Sequence, residues 1–417
     1  MKKSLFALAA LGAFAGAAQA QSSVTLFGTI DASIQYISNG GVAGSTTAAG
    51  TSAGAGNSAT NPALPGPNTG SNLAYYDSAI ASSQWGMKGT EDLGGGLKAN
   101  FTFIGDANTN NGGTHKDGLF RRSAWVGVSG GFGELRLGTQ PNPIVTATGS
   151  LMPVSGNTVN SYRGIWTSGK DYVRNAVGYM TPIMGGAGAE LQYAMNNTID
   201  GGLTDGTVMS IRGFYSNGPL DVNAAYMKAT SMAATGNAAV GACTAVSATS
   251  IVQSCPAANY TGDTTGYVLG AKYKVTPAIQ LGLGFAHGDN DTTNFVAGAG
   301  TGTATKSNAN ALMAGVGYQA TPTVLLGLSY IVNTADSNQT NFQARYALSK
   351  RSTAYFQANM VRNGAGANSV GTQFGNIIPL GGQTNTSPSV QVQGMVSSAA
   401  LPNTTTSAVG VGIIHNF

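Results

Sequence analysis

Apolar and polar residues alternate along most of this chain with a period of two. In "VTLFGTIDASIQY", Val24, Leu26, Ile30, Ile34 and Tyr36 fall on one side, and Thr25, Thr29, Asp31, Ser33 and Gln35 on the other. "AELQYAMN" sets Leu191, Tyr193 and Met195 against Glu190, Gln192 and Asn196. "TGYVLGAKYKV" sets Tyr267, Leu269 and Tyr273 against Lys272 and Lys274, and "TNFQARYALS" sets Phe342, Tyr346 and Leu348 against Gln343 and Arg345. Successive side chains leave a strand on opposite sides, so this is the pattern of strands with one apolar face.

The connections alternate too. Short ones read as hairpin turns: Gly94-Gly95-Gly96, "SGGFG" at 129–133, "MGGAG" at 184–188, "SNGPL" at 216–220, "TPA" at 276–278, "TPT" at 321–323 and "SKRS" at 349–352. Long ones, rich in Gly, Ser, Thr and Asn, fill 39–80, 141–172, 232–263 and 363–405. Seven short turns pair fourteen strands, and the first and last strands bring the total to about sixteen. A soluble sandwich would turn its apolar faces inward and cover the polar ones with charge. Here the polar faces carry isolated Lys, Arg, Gln and Ser, and the apolar faces end in Tyr36, Tyr215, Tyr318 and Tyr330, as an aromatic girdle does. The reading is all-β: a transmembrane antiparallel β-barrel with short periplasmic turns and long external loops.

The two ends fit that reading. Met1-Lys2-Lys3, an apolar run and the small-residue site "AQA" form a secretory signal peptide over 1–20, which leaves the barrel as 21–417, starting at Gln21. At the other end "GVGIIHNF" keeps the alternation through Val409, Val411, Ile413, His415 and Phe417. A barrel spanning lipid must close its last strand on its first. Phe417 is expected to be the terminal aromatic that the barrel-assembly machinery reads.

Charged residues make up 9% of the chain, against about a quarter in ordinary soluble domains, and the 61 glycines are abundant. The net charge of +4 includes Lys2 and Lys3, so the mature chain is close to neutral. Nothing resembles the clustered basic surface of a nucleic-acid binder. Cys243 and Cys255 lie close together in a polar stretch of an exported chain, and a disulfide between them is expected. The histidines, His115, His287 and His415, show neither metal-ligand spacing nor a nucleophile–base set, so no metal, cofactor or enzyme site is read.

Four blocks carry a family pattern: "SVTLFGTIDASIQY", "QWGMKGTEDLGGGLKANFTF" at 84–103, "LFRRSAWVGVSGGFGELRLGTQ" at 119–140 and the terminal "GVGIIHNF". In order and spacing they resemble the general-diffusion porins of betaproteobacteria. The resemblance implies an outer-membrane homotrimer, in contact with lipid and lipopolysaccharide, that passes small ions and solutes through sixteen-stranded barrels. It also implies that the third external loop, here 141–172, folds into the lumen. Relatives carry Arg just before the Trp-Gly pair and after the Leu-Gly of the fifth strand. Here Gln84 and Thr139 stand there, which implies a thinner basic ladder.

Selectivity then rests on which charges face the pore. Arg121 and Arg122 are adjacent in the pattern, so one of them should face the lumen. Arg174, Arg212, Lys272, Lys274 and Arg345 fall on polar faces, with Asp31 among the pore-lining candidates, and the narrowing loop holds Arg163, Lys170 and Asp171. Most acidic residues, Asp77 and Asp106 among them, are assigned to external loops. A modest anion preference is the expectation. A surface adhesin with a plugged pore and a substrate-specific channel are the alternatives, and conductance separates them.

Overall fold

The computed structural model describes residues 23–38, 72–114, 118–154, 171–195, 207–231, 260–295, 302–334, 338–362 and 405–417. The expected signal peptide, Cys243, Cys255, Arg163 and Lys170 lie outside the described residues.

Among the described residues, seventeen strands form one sheet. In chain order they are β1 (Ser23–Ser38), β2 (Asn72–Asp77), β3 (Gln84–Gly94), β4 (Leu97–Asp106), β5 (Ser123–Gly130), β6 (Gly133–Pro141), β7 (Tyr172–Met180), β8 (Ala187–Ala194) and β9 (Val208–Asn217). There follow β10 (Leu220–Ser231), β11 (Tyr260–Lys274), β12 (Ile279–Phe295), β13 (Gly302–Thr321), β14 (Val324–Asn333), β15 (Asn338–Ala347), β16 (Ser352–Arg362) and β17 (Thr405–Asn416). Each strand from β3 onward pairs antiparallel with the next, and β17 pairs with β1, so the sheet closes on itself.

The barrel has sixteen strand positions, because β2 and β3 share one. Ala32 to Ile37 of β1 pair with β2, while Ser23 to Thr29 pair with β3. The intervening residues 78–83 leave the wall. They bend inward, with Ala79 and Ile80 buried against Tyr355 and Ile414.

The seven expected hairpins are all present, and they sit on one rim. The turn at Gly94, Gly95 and Gly96 runs at φ +81, +61 and +82, a left-handed path that glycine takes without Cβ strain. The ends of the described ladder meet at the same rim. Gly28 N donates to Phe417 O and Phe417 N to Gly28 O, both at 3.1 Å. The Phe417 ring lies over Gly28, where a Cβ would come within 2.3 Å of its Cζ.

The distribution of side chains is inside-out. Leu26 is 62% exposed, Leu283 66% and Val411 57%, whereas Gln35, Gln343 and Gln357 on the opposite faces are each 1% exposed. An apolar outer band over a polar interior is what lipid outside and water inside require. No helix among the described residues is long and apolar enough to cross a membrane.

Beyond β6 the chain turns into the barrel as a short helix, α1 (Pro143–Gly149). Asn142 caps it, with its side-chain oxygen accepting from Ile144 N, and Pro143 at the first turn suits a helix start. Ile144 and Ala147 pack on small inward residues of the wall, including Ala225, Ala286 and Ala311. The third loop therefore enters the lumen, as the family resemblance implied.

Candidate functional site

The inner wall and the in-folded segment 142–154 together define the site. Alternation fixes which residues point inward. On β9, Val208 and Ser210 are buried and Met209 and Ile211 exposed, which puts Arg212 on the inward side. Arg212 donates to Asn223 Oδ1 at 3.0 and 2.8 Å and reaches Glu190 at 3.5 Å. Lys272 pairs in register with Asp221, and Lys272 and Lys274 share the face of the buried Val268. Arg345 is also inward, gripping Gln343 Oε1 from Nε and Nη2 at 3.1 and 2.7 Å.

Five sequence assignments need correction. Arg121 and Arg122 do not point to opposite faces, because β5 begins only at Ser123. Both arginines converge on Asp106. Arg121 Nε reaches one carboxylate oxygen, and Arg122 Nε donates to the other at 2.6 Å. Both guanidiniums also lie over the Tyr172 ring, whose hydroxyl accepts from Arg122 at 2.6 Å. Asp106 is accordingly no loop residue; it ends β4 and is 2% exposed.

Arg174 is off the inward face. A bulge between Gly138 and Gln140, with Asn175 at φ +52, shifts the register of β7. Val173 and Ala176 turn in against α1, and Arg174 is exposed. Asp31, finally, does not line the water path, being 0% exposed. Its carboxylate accepts from Ile80 N at 2.6 Å, Ala81 N at 2.7 Å and the Tyr355 hydroxyl at 2.6 Å, so it holds the inward bend. Asp77, also placed in a loop from the sequence, ends β2 and takes a hydrogen bond from Ser83 Oγ at 2.7 Å in the same bend. Asp171 supports the base of the loop, its carbonyl accepting from Asn142 N at 2.9 Å.

Two inward cations escaped the sequence reading. Arg136 pairs with Glu134 and stacks over Trp125 at 4.8 Å, and Lys88 sits over the Phe27 ring at 5.5 Å. The stretch "GELRLG" carried the signal, with Leu135 and Leu137 outward and Glu134 and Arg136 inward. Two of the charge sets cancel, Arg136 with Glu134 and Arg212 with Glu190. Among the described residues, Lys88, Lys272 and Lys274 have no carboxylate within ion-pair distance, and Arg121 and Arg122 share the Asp106 carboxylate.

The sequence matches the Gram-negative porin family over residues 7–366. The chain belongs to that family. This porin is 34% identical over 234 residues to outer membrane porin protein 32 of Delftia acidovorans, covering 54% of this chain and 58% of that one. It is 32% identical over 252 residues to an outer membrane porin protein of Bordetella pertussis, covering 54% and 59%. The chain thus spans little more than half the length of these relatives. Among solved structures, an anion-selective porin from Comamonas acidovorans superposes with a TM-score of 0.64 at 22% identity, over 95% of this chain and 100% of that one. OmpT of Vibrio cholerae, in a trimer form, gives 0.59 at 11% identity, over 95% and 99%. At those identities the likeness concerns the fold. The porin is an outer-membrane β-barrel.

Proposed function

We propose that this porin forms a water-filled channel for passive passage of ions and small hydrophilic solutes, with a modest preference for anions. The observation that carries the reading is the inner wall: a closed polar face on which, among the described residues, Lys88, Lys272 and Lys274 have no carboxylate within ion-pair distance, narrowed by an in-folded segment. Size and charge in such a constriction decide what passes. The Comamonas porin is anion-selective, which supports the sign, and the trimer form of the Vibrio structure supports assembly as a homotrimer. A cleaved 1–20 leader, a Cys243–Cys255 bridge and contact with lipopolysaccharide complete the proposal.

Purified protein added to a planar bilayer should give stepwise, ohmic conductance. A plugged structural barrel would give none, and a substrate-specific channel would be blocked by its solute at low concentration.

Phe417 serves assembly in this reading. Its backbone closes the ladder on Gly28 and its ring fills the space that glycine leaves. Deleting Phe417 should lower the yield of folded porin in the outer membrane, while channels that do assemble keep their unit conductance. Normal yield would place the assembly signal elsewhere.

A further inference from the structure

Glycine weakens a strand, because it adds backbone freedom to be lost and no side chain to pack. Yet a run of inward positions across four neighbouring strands is glycine: Gly270 on β11, Gly282 and Gly284 on β12, Gly315 and Gly317 on β13, and Gly327 on β14. They face one another in register as Gly270–Gly284, Gly282–Gly315 and Gly317–Gly327, a diagonal track across the inner wall. None has the left-handed φ that would call for glycine. The φ at each is one that alanine adopts, although at Gly270 a Cβ would also meet the wall itself, at Leu283 O, 2.5 Å away.

The in-folded segment occupies the space. After α1 the chain runs over the track, and Leu151, Met152 and Val154 are 1%, 2% and 5% exposed. A Cβ on Gly282 would meet Leu151 O at 2.5 Å and Pro153 Cδ at 2.7 Å. On Gly317 it would meet Pro153 Cβ at 3.0 Å, and on Gly327 the side chain of Val154 at 2.2, 2.5 and 2.9 Å. Carbon atoms rest at about 3.5–4.0 Å, so any side chain on the track must push the segment off the wall. The wall stands behind it, so the segment is displaced toward the barrel interior.

We propose that this glycine track is a positioning device that sets the bore: it lets residues 151–154 lie flush against β11–β14, and each methyl added to it narrows the channel. The proposal rests on the channel reading, so its test carries a second measurement that does not need conduction. Gly327→Ala should lower unit conductance, and adding Val154→Gly, which removes the three atoms nearest the new methyl, should restore it. Gly282→Ala should lower conductance as well, without rescue by Val154→Gly, because it meets the backbone of Leu151. Gly213→Ala, where a Cβ meets nothing within 4 Å, should leave conductance unchanged. Alongside, heat-denaturation rates of the folded barrel should show coupling between Gly327→Ala and Val154→Gly and none between Gly213→Ala and Val154→Gly.

Unchanged or raised conductance in Gly327→Ala and Gly282→Ala overturns the proposal while leaving the channel intact. If the native protein does not conduct, the channel reading fails. The denaturation cycle then still decides whether the segment seats on the track, and additive rates would overturn the seating.

Discussion

Replacing Asp31 by alanine should cost the barrel about 3–5 kcal/mol and much of its folded yield. Three donors converge on this one buried carboxylate: the backbone N–H groups of Ile80 and Ala81 on one oxygen, and the Tyr355 hydroxyl on the other. Tyr355 crosses β17 to reach it, over Gly412, where a Cβ would lie 2.4 Å from the phenol oxygen. Truncation would strand all three donors in a site that excludes water, and each buried unmet group costs about 1–3 kcal/mol. Asp31→Asn keeps an acceptor for the two backbone groups and can donate to the tyrosine oxygen, so it should lose far less. The check is the denaturation rate of folded barrel on unboiled gels, since such barrels unfold irreversibly and a rate is the defined quantity. Equal loss in the alanine and asparagine variants would show that the carboxylate does not hold the bend.

The second large effect concerns the charge at Asp106. Two arginines share the Asp106 carboxylate, and replacing both by glutamine removes two positive charges beside it. A unit charge about 8 Å from a passing ion contributes about 0.5 kcal/mol in water, and salt reduces that within a Debye length of about 8–10 Å. The swing should therefore change the anion-to-cation permeability ratio about twofold per charge. Arg121→Gln with Arg122→Gln should move the zero-current potential toward cation selectivity. Asp106→Asn, which adds one net positive charge, should move it the other way. Shifts of the same sign in both variants would mean that the cluster acts through shape.

Much of the fold was legible because its determinants are local. A period of two, Gly and Pro at the turns and one apolar face specify each hairpin without reference to the rest of the chain, and all seven hairpins formed. The divided stave of β2 and β3 was not legible, because the bend at 78–83 is fixed by Asp31 and Tyr355, distant in sequence. The errors at Arg121, Arg122 and Arg174 share a cause. Strict alternation was extended past the start of β5 and through the bulge of β7, where it does not hold. The glycine track was visible as "LGLGF" and "AGVGY", with the large residues outward and the glycines inward. Only the segment that crosses them gives those glycines a purpose, and that contact is not encoded in any one strand.

A polar, water-filled lumen that favours anions is tested by the zero-current potential of purified native porin across a planar bilayer in a KCl gradient. The potential should have anion-selective sign and shrink as the salt on both sides is raised, and a potential of cation-selective sign would contradict an anion-favouring lumen.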